Sequence, residues 1–168
     1  MNKVTFSILV ICLFLVSGKQ VEAGNFDKLV KYVSVKKNVP EWVLRKICVH
    51  ESQSFHQGKR QAWPWVLNVK GKGIWFKDKV SALVVAKLEV AAGNKNVDIG
   101  LCQMNWRWHS HRVSGVAELI NPVNNMLYAA DYLSELKRGR EWLEVIGAYH
   151  SPSNVKRAEK YARIVLAK

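Results

Sequence analysis

Hydrophobic positions follow three different rhythms along this chain. Val4 to Val16 is an almost unbroken apolar run behind the positive start Met1-Asn2-Lys3, and Val21-Glu22-Ala23 gives a small-residue cleavage pattern before Gly24. The run falls short of the roughly 17 to 25 residues that cross a bilayer. Residues 1–23 are therefore expected to be a cleaved export signal, and residues 24–168 the mature domain. Beyond the signal the rhythm becomes helical. Phe26, Leu29, Val30 and Val33 form a stripe that predicts a helix over Phe26–Lys37, ended by Asn38-Val39-Pro40. Pro40 suits the first turn of a second helix to about Ser52, where Val43, Leu44, Ile47 and Cys48 share one face. Continued by one turn, that face reaches Glu51.

Residues 53–64 are polar, with Gly58 and Pro64, and read as a loop. The runs Trp65–Val69 and Ile74–Phe76 flank Lys70-Gly71-Lys72-Gly73, the pattern of a short β-hairpin. Helices follow at Val80–Ala92, with Leu83, Val84, Leu88 and Ala91 inward and Gly93 at the C-terminal cap, and briefly at Val116–Ile120. A longer one spans Val123–Lys137 on a face of Met126, Leu127, Ala130, Leu133 and Leu136, and two more cover Glu141–Tyr149 and Val155–Leu166. Val97–Asn105 is extended or irregular. The fold class is mainly α with a small β-hairpin, in one domain.

Charge narrows the partners only slightly. The chain holds 26 basic and 13 acidic residues, a net +13, and without Lys3, Lys19 and Glu22 of the signal the mature value is +12. Such a surface attracts polyanions, whether nucleic acid, anionic lipid or cell wall, and export argues against nucleic acid. Of three cysteines, Cys12 leaves with the signal. Cys48 and Cys102 stay, either as one disulfide or as two buried apolar residues. Neither has a metal-ligand partner at zinc-like spacing, so no metal is inferred.

Glu51 is the first unusual feature, because a carboxyl on a buried stripe tends to keep its proton, whereas one at a fraying helix end is solvated. The five tryptophans Trp63, Trp65, Trp75, Trp106 and Trp108 should mostly be core, with one or two lining a cleft. Asp98 reads either as a solvated or capping residue or as a second acid.

His50-Glu51-Ser52, Gly100-Leu101-Cys102-Gln103-Met104-Asn105 and Ala148-Tyr149-His150, in this order, resemble the signature segments of the soluble-lytic-transglycosylase family. The hairpin region Pro64–Gly73 further resembles the branch found beside type III and type IV secretion and conjugation systems. That resemblance implies an α+β lysozyme-like fold and cleavage of peptidoglycan between N-acetylmuramic acid and N-acetylglucosamine, with a 1,6-anhydro product. It implies Glu51 as acid and then base, no cofactor, and substrate contacts from Gln103, Asn105 and Tyr149, the Tyr149 hydroxyl meeting Glu51 or the N-acetyl group. Ser52 would bond near the substrate or orient the carboxyl, or be an ordinary helix-end hydroxyl, and the amides of Gln103 and Asn105 could instead satisfy the backbone of an irregular segment. Where the wider family has asparagine and methionine, this chain has His150 and Cys102.

A periplasmic monomer acting on glycan strands, with components of a secretion or conjugation apparatus as partners, completes the expectation. The alternatives are a hydrolytic lysozyme using the same Glu51, and a non-enzymatic wall-binding assembly protein that would not need it.

Overall fold

A computed structural model describes residues 23–56 and 59–167; the expected export signal, residues 1–23, lies outside these except for Ala23. The first helix, α1, spans Ala23–Lys37, and Phe26, Val30 and Val33 enter the core as the stripe predicts. The second, α2, spans Glu41–Ser52 and buries Val43, Leu44, Ile47 and Cys48. Pro40 stands one residue before it, and its carbonyl accepts from the amides of Val43 and Leu44.

The expected loop after α2 contains a two-stranded antiparallel ribbon, β1 (Ser54–His56) on β2 (Lys59–Gln61). Its short polar strands carry no β-branched run, so periodicity gave no sign of it. The hairpin forms as β3 (Val66–Val69) and β4 (Lys72–Trp75), with Val69 opposite Lys72. Lys70 and Gly71 make the two-residue turn at φ 52° and 87°, the positive pair of a type I′ turn.

Helix α3 (Lys79–Ala91) starts on Asp78, whose side chain accepts from the Ser81 amide. Its inward face differs from the expected one. Ala82 and Ala86 are buried and Leu83 is half-buried, while Val84 and Leu88 are 52% and 64% exposed and Ala91 is also outside. This helix is apolar nearly all round, so hydrophobicity alone leaves its rotation open, and the alanine face lets its backbone approach the sheet closely. Strands β5 (Val97–Ile99) and β6 (Met104–Asn105) then extend the hairpin into a four-stranded antiparallel sheet ordered β4-β3-β5-β6.

After α4 (Trp106–His109) and α5 (Val116–Leu119), α6 (Pro122–Lys137) begins under an Asn121 cap with Pro122 in its first turn, and Met126, Ala129, Ala130, Leu133 and Leu136 face inward. Glu141 and Glu144 form a capping box at α7 (Trp142–His150), and Asn154 caps α8 (Val155–Leu166). The last two helices meet at Gly147, where a Cβ would lie 2.6 Å from the Ala158 carbonyl oxygen. The result is the mainly α single domain that the pattern predicts. None of the five tryptophans is fully buried, and only Trp65 and Trp106 pack, half-buried, against the core, fewer than expected. Trp63 and Trp75 instead donate their indole N–H groups to the carbonyls of Phe76 and Ser52, tying the hairpin to the end of α2.

Candidate functional site

Glu51 lines a cleft of about 930 Å³. The last turn of α2 divides two neighbouring side chains. Glu51 turns to the cleft, whereas Ser52 points into the core and is fully buried. The Ser52 hydroxyl donates to the Cys48 carbonyl one turn back at 2.8 Å and accepts from the Trp63 amide at 3.0 Å. This corrects the expectation that Ser52 contacts substrate: both hydroxyl functions serve the scaffold, a role open to any serine near a helix end.

The floor is built by strand register. Asn68 pairs with Asp98, and Asp98 with Asn105, so these three side chains form a row across β3, β5 and β6 on the cleft side. Leu67, Val69, Val97 and Ile99 alternate with them and enter the core. Asn105 donates to Asp98 Oδ1 at 2.6 Å while its own oxygen accepts from the Arg107 amide, capping α4. Asp98 is thus neither solvated nor a cap. Burial pushes its carboxyl up from the ordinary range, opposed by the Asn105 bond and by His150 nearby.

Between β5 and β6 the chain turns sharply at Gly100 (φ 78°) and Gln103 (φ 49°). The Gln103 amide donates to the carbonyls of Gly100 at 2.8 Å and Val66 at 3.2 Å, fixing its side chain along the cleft wall. Underneath, the buried Asn125 donates to the carbonyls of Ile99 and Leu119 and accepts from the Cys102 amide, all within 2.9 Å. Asn125 went unremarked in the sequence because it sits among apolar positions of an ordinary helix. Cys102 is disulfide-bonded to Cys48, three residues before Glu51, with Cα atoms 4.2 Å apart. The bond clamps the turn to the helix that carries the acid.

The facing wall comes from α7 and α8. Tyr149 donates its hydroxyl to the Cys102 carbonyl at 2.7 Å and lies 3.3 Å from Met104 Sδ. The hydroxyl bonded to Glu51 belongs to Tyr161 of α8, which donates to Oε1. Its ring stacks parallel on His150 at 4.7 Å and meets the His50 edge at 5.1 Å. Burial, and then the charge of Glu51, push both tyrosines well above the ordinary phenol range, so both stay protonated donors. Tyr149 also feels Asp98, which places it beside both carboxyls. Tyr161 was legible only as a core position on an amphipathic helix.

At the other end Trp108 is 67% exposed along the cleft, beside His109 and Arg112. Arg112 grips Glu135 with two nitrogens at 2.6 Å. Burial lowers His109 to about 4, helped by Arg112 and His111, so its imidazole is neutral near pH 7.

Such an arrangement can hold an extended polar chain, stack a ring on Trp108, and present one carboxyl fixed by a phenol opposite a second carboxyl on the floor. Compared with known proteins, residues 79–167 match the family model described as the transglycosylase SLT domain. No curated protein and no solved structure matches the chain. The matched segment contains Gln103, Asn105, Tyr149 and Tyr161, while Glu51 precedes it and is reached through the disulfide and the Tyr161 bond.

Proposed function

This chain belongs to the transglycosylase SLT domain family, whose substrate is peptidoglycan, and from that premise we propose that it cleaves the muramoyl–glucosaminyl bond with Glu51 as the only acid and base. The observation that carries this reading is the carboxyl of Glu51, set in the cleft and fixed by a phenol from the matched segment. Cleavage begins with transfer of the Glu51 proton to the glycosidic oxygen as the C–O bond breaks. The N-acetyl oxygen of the muramoyl sugar closes on the anomeric carbon, so no second protein nucleophile is required. The 6-hydroxyl of the same sugar then attacks that carbon, reopening the acetamido ring, and its proton returns to Glu51. The product is a 1,6-anhydro sugar, and the acid is regenerated.

In this reading Gln103, Asn105 and Tyr149 border the bound strand, and Trp108 offers an aromatic face to one sugar. On the same reading the expected signal over residues 1–23 sends residues 24–168 to the periplasm, where the enzyme works as a monomer and opens the wall locally for a secretion or conjugation apparatus. The Lys70–Gly73 hairpin turn and the mature charge of +12 fit such a station beside an anionic polymer.

Asp98 favours a second reading, hydrolysis. It is a half-buried carboxyl on the floor of the same cleft, where it could steady positive charge at the anomeric carbon while water attacks. Mass spectrometry of purified peptidoglycan digested by the mature protein and by Glu51→Gln decides between them. Anhydro ends that vanish in the variant support the lyase. Reducing ends that depend on Glu51 establish the hydrolase, and intact wall bound by a folded, inactive protein refutes both.

A further inference from the structure

Helix α3 turns an apolar stripe outward. Val80, Val84 and Leu88 are 70%, 52% and 64% exposed, and Ala91 continues their line into the last turn. By helix geometry these four positions span about 80°, and Ala82 and Ala86 lie about 180° from the centre of that arc. Those two alanines share one core with Leu67, Val97 and Ile99, and α3 packs against β3 and β5. Asn68 and Asp98 of the same strands line the cleft. The stripe and the cleft therefore stand on opposite sides of the sheet.

The charge around the stripe has one dominant sign. Residues 70–95 hold six lysines, Lys70, Lys72, Lys77, Lys79, Lys87 and Lys95, against Asp78 and Glu89, a net +4. None of the six enters an ion pair among the described residues. Lys77 and Lys79 stand at the start of α3 and Lys95 just beyond its end, where Lys70 joins it because the Lys70 amide donates to the Asn96 carbonyl at 3.1 Å. Lys87 lies on the stripe itself, between Val84 and Ala91. Both acids are engaged: Asp78 accepts from the Ser81 amide, and Glu89, on the far side of the helix, accepts from Asn94, each at 2.8 Å.

We infer that α3 is a docking face for the anionic phospholipid surface of a membrane, with Val80, Val84 and Leu88 entering the headgroup layer and the lysines meeting lipid phosphates. Charge selects this occupant. An apolar ridge with cations at both ends and in its middle complements a surface that is negative outside and apolar just beneath. A second copy of the chain laid on the same stripe would instead set lysines against lysines, at Lys87 and at both ends. No helix among the described residues is long and apolar enough to cross a bilayer, so attachment through α3 is interfacial. A molecule lying on this face holds its cleft away from the lipid. The inference does not depend on the reaction proposed above.

Co-sedimentation with vesicles tests the inference. The mature protein is mixed with vesicles of phosphatidylglycerol and phosphatidylethanolamine, or of phosphatidylcholine alone, beside the double variant Val84→Ser with Leu88→Ser and beside Lys87→Gln. Wild-type protein should pellet with the anionic vesicles and far less with the zwitterionic ones. The two serines keep the net charge and replace only exposed side chains, so the fold should hold while binding falls about tenfold. Leu88→Ser alone should give part of that loss and guards against a double variant that folds poorly. Lys87→Gln should weaken binding about fivefold, the effect of one cation near an anionic surface. Equal binding by the serine variant would overturn the inference, since the diffuse charge of the whole chain would then account for adhesion. So would wild-type protein left in the supernatant of the anionic vesicles, or a wild-type dimer in gel filtration that the serines dissolve, which would give the stripe to a second copy.

Discussion

Replacing Tyr161 by Phe removes one oxygen and nothing else from the wall of the cleft. The ring keeps its place between His50 and His150, and only 7% of the residue is exposed, so packing should survive. What is lost is a hydrogen bond from a buried phenol to a carboxyl, worth about 0.5–1.5 kcal/mol while Glu51 holds its proton and about 1.5–3 kcal/mol once that proton has left for the glycosidic oxygen. Water in the cleft can replace part of it on the Glu51 side, so about 2 kcal/mol of orientation is at stake, or roughly thirtyfold in rate. The loss should fall on kcat and leave KM nearly unchanged, because Tyr161 holds the acid rather than the strand. Initial rates of soluble muropeptide release, measured beside thermal melts of both proteins, separate the two effects. A kcat within twofold of wild type, in a protein whose Glu51→Gln variant is dead, would refute this role for Tyr161. So would a rate loss fully explained by unfolding.

Removing the disulfide with Cys48→Ala and Cys102→Ala frees a loop of 54 residues, for which chain entropy predicts a loss of about 4 kcal/mol, read as a lower urea midpoint. A change below about 1 kcal/mol would show that the hydrogen bonds of Asn125, Gln103 and Tyr149 hold the turn without it. His109 gives the fold a pH dependence of definite sign. Its folded pKa, about 4, lies below the unfolded 6.5, so the unfolded chain binds more protons between these values. Its contribution is complete above pH 6.5 and fades as pH falls toward 4, by about 2 kcal/mol, and His109→Phe should flatten that slope in urea melts across the window. Gly147→Ala should destabilise by about 1–3 kcal/mol, since its methyl meets backbone of α8 rather than a yielding side chain; a melting temperature equal to wild type would contradict the close approach. Asp98→Asn distinguishes product routes: an unchanged ratio of anhydro to reducing ends shows that the floor carboxyl does not steer the attacking hydroxyl.

Periodicity located the helices of this chain well because most have one clear apolar face, as at Val43, Leu44, Ile47 and Cys48. It failed at α3, where valines and leucine surround the helix and two alanines decide the contact. The ribbon at residues 54–61 escaped notice because its strands are polar and three residues long. Among the candidate site residues, Glu51, Gln103, Asn105 and Tyr149 were named through the resemblance of their segments, and the cleft gathers them. Their precise partners were not legible. Which tyrosine reaches the acid depends on how α8 packs on α7, a fact fixed by Gly147 and invisible in any local window. Ser52 misled for the opposite reason. A serine beside a catalytic acid looks functional, yet a helix turn of 100° per residue sends neighbours to different sides.

The polar row Asn68, Asp98 and Asn105 links misfolding to inactivity. Because side chains alternate strictly along a strand, sliding β5 by one residue would drive Asp98 into the apolar layer and lift Val97 and Ile99 into water. No intermediate slip preserves either surface. A chain that pairs these strands wrongly is thus penalised in its core at once, and a properly paired sheet carries its cleft-facing floor without further adjustment. Proofreading of the sheet and assembly of the cleft are one event.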